Sequence, residues 1–202
     1  MRKVVLSLVA VAMITVTAFA GGSKYNTAVA PGEKAPTFSG LPAVSAGEQT
    51  SVSLADIKSP VVVVVFLANH CPAVKAYEDR LVEFTRDYKD KGVQVVGISV
   101  SQMENDKLPG IKDYMKEHGS NYVYAYDESQ EVGKAYGAHA TPTFFVLDKD
   151  RKIQYLGAMD NNMSETKVTK HYLRDAVDAV LAGKTPEVTE TRAVGCGIGY
   201  TK

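Results

Sequence analysis

The chain has 202 residues, 45% of them hydrophobic and 8% aromatic, with 23 Lys and Arg against 23 Asp and Glu. This is the profile of one ordinary globular domain. With the first twenty residues set aside, 21 basic groups face 23 acidic ones, a net charge of −2 that offers nucleic acid no basic patch.

Those first twenty residues read as a signal peptide. Arg2 and Lys3 precede the apolar run Val4 to Val16, and Ala18-Phe19-Ala20 places small residues before Gly21. Cleavage there would leave an exported chain, periplasmic or extracellular, with no membrane contact of its own. Residues 21–30 are small and polar and read as a flexible leader. The pair Pro31 and Pro36 allows only short extended pieces, and Ser53 is placed to cap a brief helical turn through Ile57.

The run Val61-Val62-Val63-Val64-Val65-Phe66 has no alternating polar position, the pattern of a strand buried on both faces of a parallel sheet. Val74, Tyr77, Leu81, Phe84 and Tyr88 then recur at helical spacing, and Gly92 is a C-cap candidate. On this reading Lys75 and Glu78 lie on a solvated helix face. Residues 93–100 form a second apolar strand, parallel to the first through a right-handed crossover. Residues 101–106 read as a polar loop, and Pro109 opens a helix carrying Ile111, Tyr114, Met115 and His118, ended by Gly119. Tyr122, Tyr124 and Tyr126 alternate as a short strand, and Asp127 with Gln130 suggests a capping box. Residues 144–147 and 152–156 form an antiparallel hairpin about Asp148 to Arg151, a last amphipathic helix runs to Gly183, and residues 184–202 form an aperiodic tail containing Cys196.

The order of elements, the line Phe66-x-Ala68-x-x-Cys71-x-x-Val74-Lys75, and a proline at 142 ahead of a buried strand resemble the thioredoxin superfamily across roughly residues 31–183. The resemblance implies an α/β thioredoxin fold, a central mixed β-sheet flanked by helices. Gly32-Glu33-Lys34-Ala35-Pro36-x-Phe38, Asn69-His70-Cys71-Pro72 and Gly195-Cys196-x-Ile198 are similar to an exported, peroxiredoxin-like redoxin branch with a single active-site cysteine. Three positions depart from the family pattern. Val74 stands where thioredoxins carry a resolving cysteine and peroxiredoxins their reactive one, Cys71 stands at the peroxiredoxin threonine, and Val65 stands at the thioredoxin buried carboxylate.

The resemblance makes Cys71 the candidate nucleophile, at a strand end where a helix N-terminus favours a thiolate. His70 beside it can stabilise that thiolate or shuttle a proton. Pro142 is expected to be cis and to face Cys71, with Thr141 offering its backbone to an extended peptide or thiol substrate and Pro72 completing the docking face. For Cys196 three roles stay open: a resolving thiol, a structural bridge to Cys71, or a free thiol. The implied function is an exported thiol-disulfide oxidoreductase or antioxidant working through a lone nucleophilic cysteine, without cofactor, on a thiol or disulfide partner protein or a peroxide. Two alternatives are a non-catalytic module binding peptide at the Pro142 groove, and a copper or zinc carrier using Cys71, His70 and His139.

Overall fold

The computed structural model describes residues 22–201, so the expected signal peptide lies outside the described residues. A hairpin with a two-residue turn comes first, β1 (Leu41–Ser45) and β2 (Glu48–Val52) in antiparallel register. Ala46 and Gly47 at its turn both have positive φ, 50° and 82°, the handedness that matches strand twist in a tight hairpin. The sequence reading missed this hairpin. Four of the five β2 side chains are exposed, so no apolar alternation marks the strand.

Then come β3 (Val61–Leu67), α1 (Pro72–Lys89), β4 (Val93–Ser99), α2 (Leu108–His118), β5 (Val123–Tyr126) and the short α3 (Glu131–Ala135). After α3 the chain forms β6 (Ala140–Thr141), β7 (Thr143–Leu147), β8 (Ile153–Gly157), α4 (Tyr172–Leu181) and β9 (Cys196–Gly197). Seven strands make one mixed sheet in the order β2-β1-β5-β4-β3-β7-β8, while β6 and β9 pair separately. β3, β4 and β5 run parallel, and β1 and β7 border them antiparallel. This is the thioredoxin fold, α/β with a mixed central sheet.

The unbroken apolar run of β3 is explained by its central place. Val61, Val63, Val65 and Leu67 face a core shared with α1, α2 and α4, while Val62, Val64 and Phe66 face a second core with Phe38, Leu54 and Tyr136. Val65, the position of the family carboxylate, is one of these buried side chains. Residues 22–30 are laid against the domain. Asn26 is buried, its amide donates to the Tyr136 carbonyl at 2.8 Å, and its Oδ1 accepts from the backbone of Ala28 and Val29. Among the described residues no helix is long and apolar enough to cross a membrane.

Candidate functional site

β3 ends at Leu67, and four residues later Cys71 is the N-cap of α1, with Pro72 at the first helical position. The Cys71 N–H donates to the Ala68 carbonyl at 3.0 Å and its own carbonyl accepts from Lys75 at 3.1 Å, so the turn closes on the cysteine. A proline at N1 has no N–H to leave unsatisfied, which suits this position. Cys71 is fully buried, and Pro72 is exposed.

The expectation of a single working cysteine gives way to a pair. Cys71 and Cys196 form a disulfide with Cα atoms 5.9 Å apart, closing a separation of 125 residues. The position three residues on is Val74, which is buried in the core, so the second sulfur arrives from the tail instead of from α1. The tail reaches it as a strand: β9 pairs antiparallel with β6 in the register Ala140↔Gly197 and Thr141↔Cys196. The Ile198 N–H extends the ladder by donating to the His139 carbonyl at 3.0 Å. The Thr141–Pro142 peptide bond is cis, and the Thr141 carbonyl oxygen lies 3.3 Å from Cys71 Sγ. The predicted residues Cys71, Thr141, Pro142 and Cys196 are thus brought to one place.

His70 is held from the far side. Its Nδ1 lies 2.5 Å from Asp106 Oδ2 and its backbone N–H donates to Asp106 Oδ1 at 3.2 Å. The imidazole side chain keeps 34% of its surface exposed, while Asp106 has none. Asn69, also buried, donates to the Asn105 carbonyl at 2.6 Å and accepts from the Tyr124 hydroxyl at 3.0 Å. The segment 104–106 expected as loop is a turn of 3-10 helix that clamps both residues before Cys71. A pocket of about 390 Å³ opens beside the disulfide, walled by Leu67, His70, Val100, Met103, Thr141 and Ile198 among others. His139 is exposed and contacts the Gly137 carbonyl, so it does not join His70. Among the described residues no group of three or more His, Cys, Asp or Glu is placed to hold a metal ion.

A family model described as Redoxin matches residues 30–173. The chain belongs to the Redoxin family. Among solved structures, a hypothetical protein from Sinorhizobium meliloti is 34% identical, with 87% of this chain and 97% of that one covered and a TM-score of 0.78. An uncharacterized conserved protein from Geobacillus kaustophilus is likewise 34% identical, covering 85% and 93%, with a TM-score of 0.78. Among curated relatives, the thiol-disulfide oxidoreductase ResA of Bacillus thuringiensis is 24% identical over 170 residues, 83% of this chain and 94% of the relative.

Several residues that shape this Redoxin site carry no periodic signal. Gln130, expected as part of a capping box, sits instead at the N-cap of α3 in left-handed conformation, and its amide is fully buried. Its Nε2 donates to the Val100 and Gly199 carbonyls at 2.8 and 3.0 Å, and its Oε1 accepts from the Thr201 N–H and hydroxyl. The cap role falls to Asp127, whose Oδ2 accepts from Val132 and Gly133. Tyr200 adds a hydroxyl bond of 2.5 Å to the Ala138 carbonyl. Glu78, expected on a solvated face, is buried two turns along α1 and accepts from the Ser120, Tyr122 and Tyr114 hydroxyls. Burial pushes its carboxyl above the ordinary value, and those three hydroxyls pull it back.

Proposed function

We propose that this Redoxin chain is an exported thiol-disulfide oxidoreductase whose working pair is Cys71 and Cys196. The observation that carries the reading is the disulfide between the helix-capping cysteine and a tail strand docked beside Pro142. In the reduced chain the Cys71 thiolate attacks one sulfur of a client disulfide. The N-terminal amides and dipole of α1 favour this thiolate. A Cys71–client disulfide forms and the other client sulfur leaves as a thiolate that takes up a proton. The Cys196 thiolate then attacks Cys71 Sγ, the mixed disulfide breaks, and the client departs with both sulfurs reduced while the pair is oxidised by two electrons. An external dithiol returns the pair to its reduced form. His70, oriented by Asp106 and still part-exposed, is the proton donor and acceptor at the mouth of the site. Thr141 and Pro142 form the edge against which the client lies.

The 24% identical relative is a thiol-disulfide oxidoreductase by name, and the family frame spans the whole site except the tail. Export supplies a compartment in which such a pair can cycle through its disulfide.

The test uses single-cysteine variants with a disulfide-bonded client protein. Cys196→Ser should form a stable covalent adduct with client at Cys71 and turn over once, whereas Cys71→Ser should form none. Equal turnover in both variants and the natural chain would defeat the reading. Hydrogen peroxide offered in place of the disulfide, followed by its consumption, tests the antioxidant alternative on the same proteins.

A further inference from the structure

The tail does more than deliver a sulfur. β6 has one edge carrying partners at Cys71, and β9 occupies it. Any client sulfur bonded to Cys71 must take the place of Cys196 Sγ, and an extended client segment there meets the same backbone in the same register. The residues around Cys196 therefore display what the edge accepts.

At the position before the cysteine the edge is intolerant. A Cβ on Gly195 would run into the Thr141 carbonyl oxygen, with its carbon at 2.8 Å and Ala73 Cβ at 3.3 Å. Gly195 does not have a positive φ, so the close approach, not the backbone conformation, demands glycine. At the position after the cysteine the edge is open: a Cβ on Gly197 meets nothing within 4 Å. Two positions after the cysteine, Ile198 is half-buried, packs on the second core and walls the 390 Å³ pocket. An apolar wall next to a side chain two positions on is how alternate residues of an added strand are read.

We infer that residues 195–198 are a built-in copy of the client, and that the client is an extended protein segment with glycine before its cysteine, any residue after it, and an aliphatic side chain at the next position. This rests on the exchange chemistry proposed for Cys71. Client and tail then compete for one edge: the client enters when reduction frees Cys196, and the returning tail displaces it as Cys196 attacks Cys71. Gln130 and Tyr200 keep the far end of the tail docked, so the resolving thiol stays close.

The experiment uses the full chain with Cys196→Ser, reduced, and three synthetic peptides whose cysteine is activated as a mixed disulfide with thionitrobenzoate. One has the sequence Ala-Val-Gly-Cys-Gly-Ile-Gly, one carries valine before the cysteine, and one carries serine in place of isoleucine. The Cys71 thiolate bonds to the peptide sulfur and releases coloured thionitrobenzoate. The first peptide should react at least tenfold faster than the valine peptide and about fivefold faster than the serine peptide. Equal rates overturn the inference, as does reaction with the symmetric disulfide of thionitrobenzoate, offered as a fourth probe, but with no peptide. Silence towards every probe overturns the exchange chemistry as well. A second measurement needs no removed cysteine: the equilibrium of the natural disulfide against glutathione in Gly195→Ala and Gly197→Ala. Both lose the same glycine entropy, so the comparison isolates contact. Gly195→Ala should weaken the disulfide tenfold or more and Gly197→Ala less than twofold, and equal shifts overturn the inference.

Discussion

Two segments meet at the disulfide, and they are held by opposite means. Residues 61–89 are fixed by burial: β3 lies between two cores, and Val74, Tyr77, Leu81 and Phe84 seat α1 on one of them. Residues 195–201 are at most half-buried and, beyond the disulfide and the partial packing of Ile198 and Tyr200, are fixed by directional bonds to β6, His139, Gln130 and Ala138. The first segment cannot shift without exposing a core. The second can lift by breaking bonds worth about 1 kcal/mol each, which is the difference a resolving strand needs from a scaffold.

The largest expected effect separates the two sulfurs. Cys71→Ser and Cys196→Ser should each lower multiple turnover by roughly a hundredfold or more, since a complete cycle needs both sulfurs. Only Cys196→Ser should retain a single burst of released client thiol, seen by rapid-quench alkylation. A burst from Cys71→Ser would reverse the roles of scaffold and strand.

On the scaffold side, Asp106→Ala removes the buried carboxylate that holds His70 by its backbone N–H and its ring Nδ1. A lost charged acceptor of this kind should cost about 2–3 kcal/mol of stability, measured by the denaturant midpoint, in oxidised and reduced chains alike. On the tail side, Gln130→Ala strands the Gly199 and Thr201 groups. It should weaken the Cys71–Cys196 disulfide against glutathione by about tenfold, or about 1.4 kcal/mol. Its effect should be larger on the oxidised chain than on the reduced one, and equal effects would mean that Gln130 serves the body alone.

The smallest effect concerns a group in the core of the scaffold. Glu78 has its folded pKa raised by burial above the ordinary 4.5, so the folded chain binds the proton more tightly than the unfolded one. Stability contributed by the protonated form is present below the unfolded pKa and is lost as pH rises through the folded pKa. Glu78→Gln should remove that decline, giving a flatter thermal midpoint from about pH 4.5 upward. A variant whose midpoint falls with pH as steeply as the natural chain's would contradict it.

Legibility followed the same division. The strand-to-helix junction at Cys71 could be read because burial on both faces makes β3 continuously apolar and gives α1 its helical period, whereas the thioredoxin frame and the place of Pro142 were what the motif resemblance implied. Glu78 was misread since its position falls between apolar residues of α1, and only Tyr114, Ser120 and Tyr122 from other elements explain its burial. Asp106 and Gln130 act through single long-range hydrogen bonds, which no local pattern records. Whether Cys71 bonds Cys196 was open for the same reason: Val74 told where the second thiol is not, and the β6–β9 register tells where it is.

The most direct measurement is the redox titration of the natural chain in glutathione buffers, with acid quench, alkylation and mass counting. The account predicts that Cys71 and Cys196 change together, so that each molecule carries two alkyl groups or none across the transition. Molecules alkylated once and glutathionylated once in proportion to the buffer, with no internal disulfide at any ratio, would contradict it.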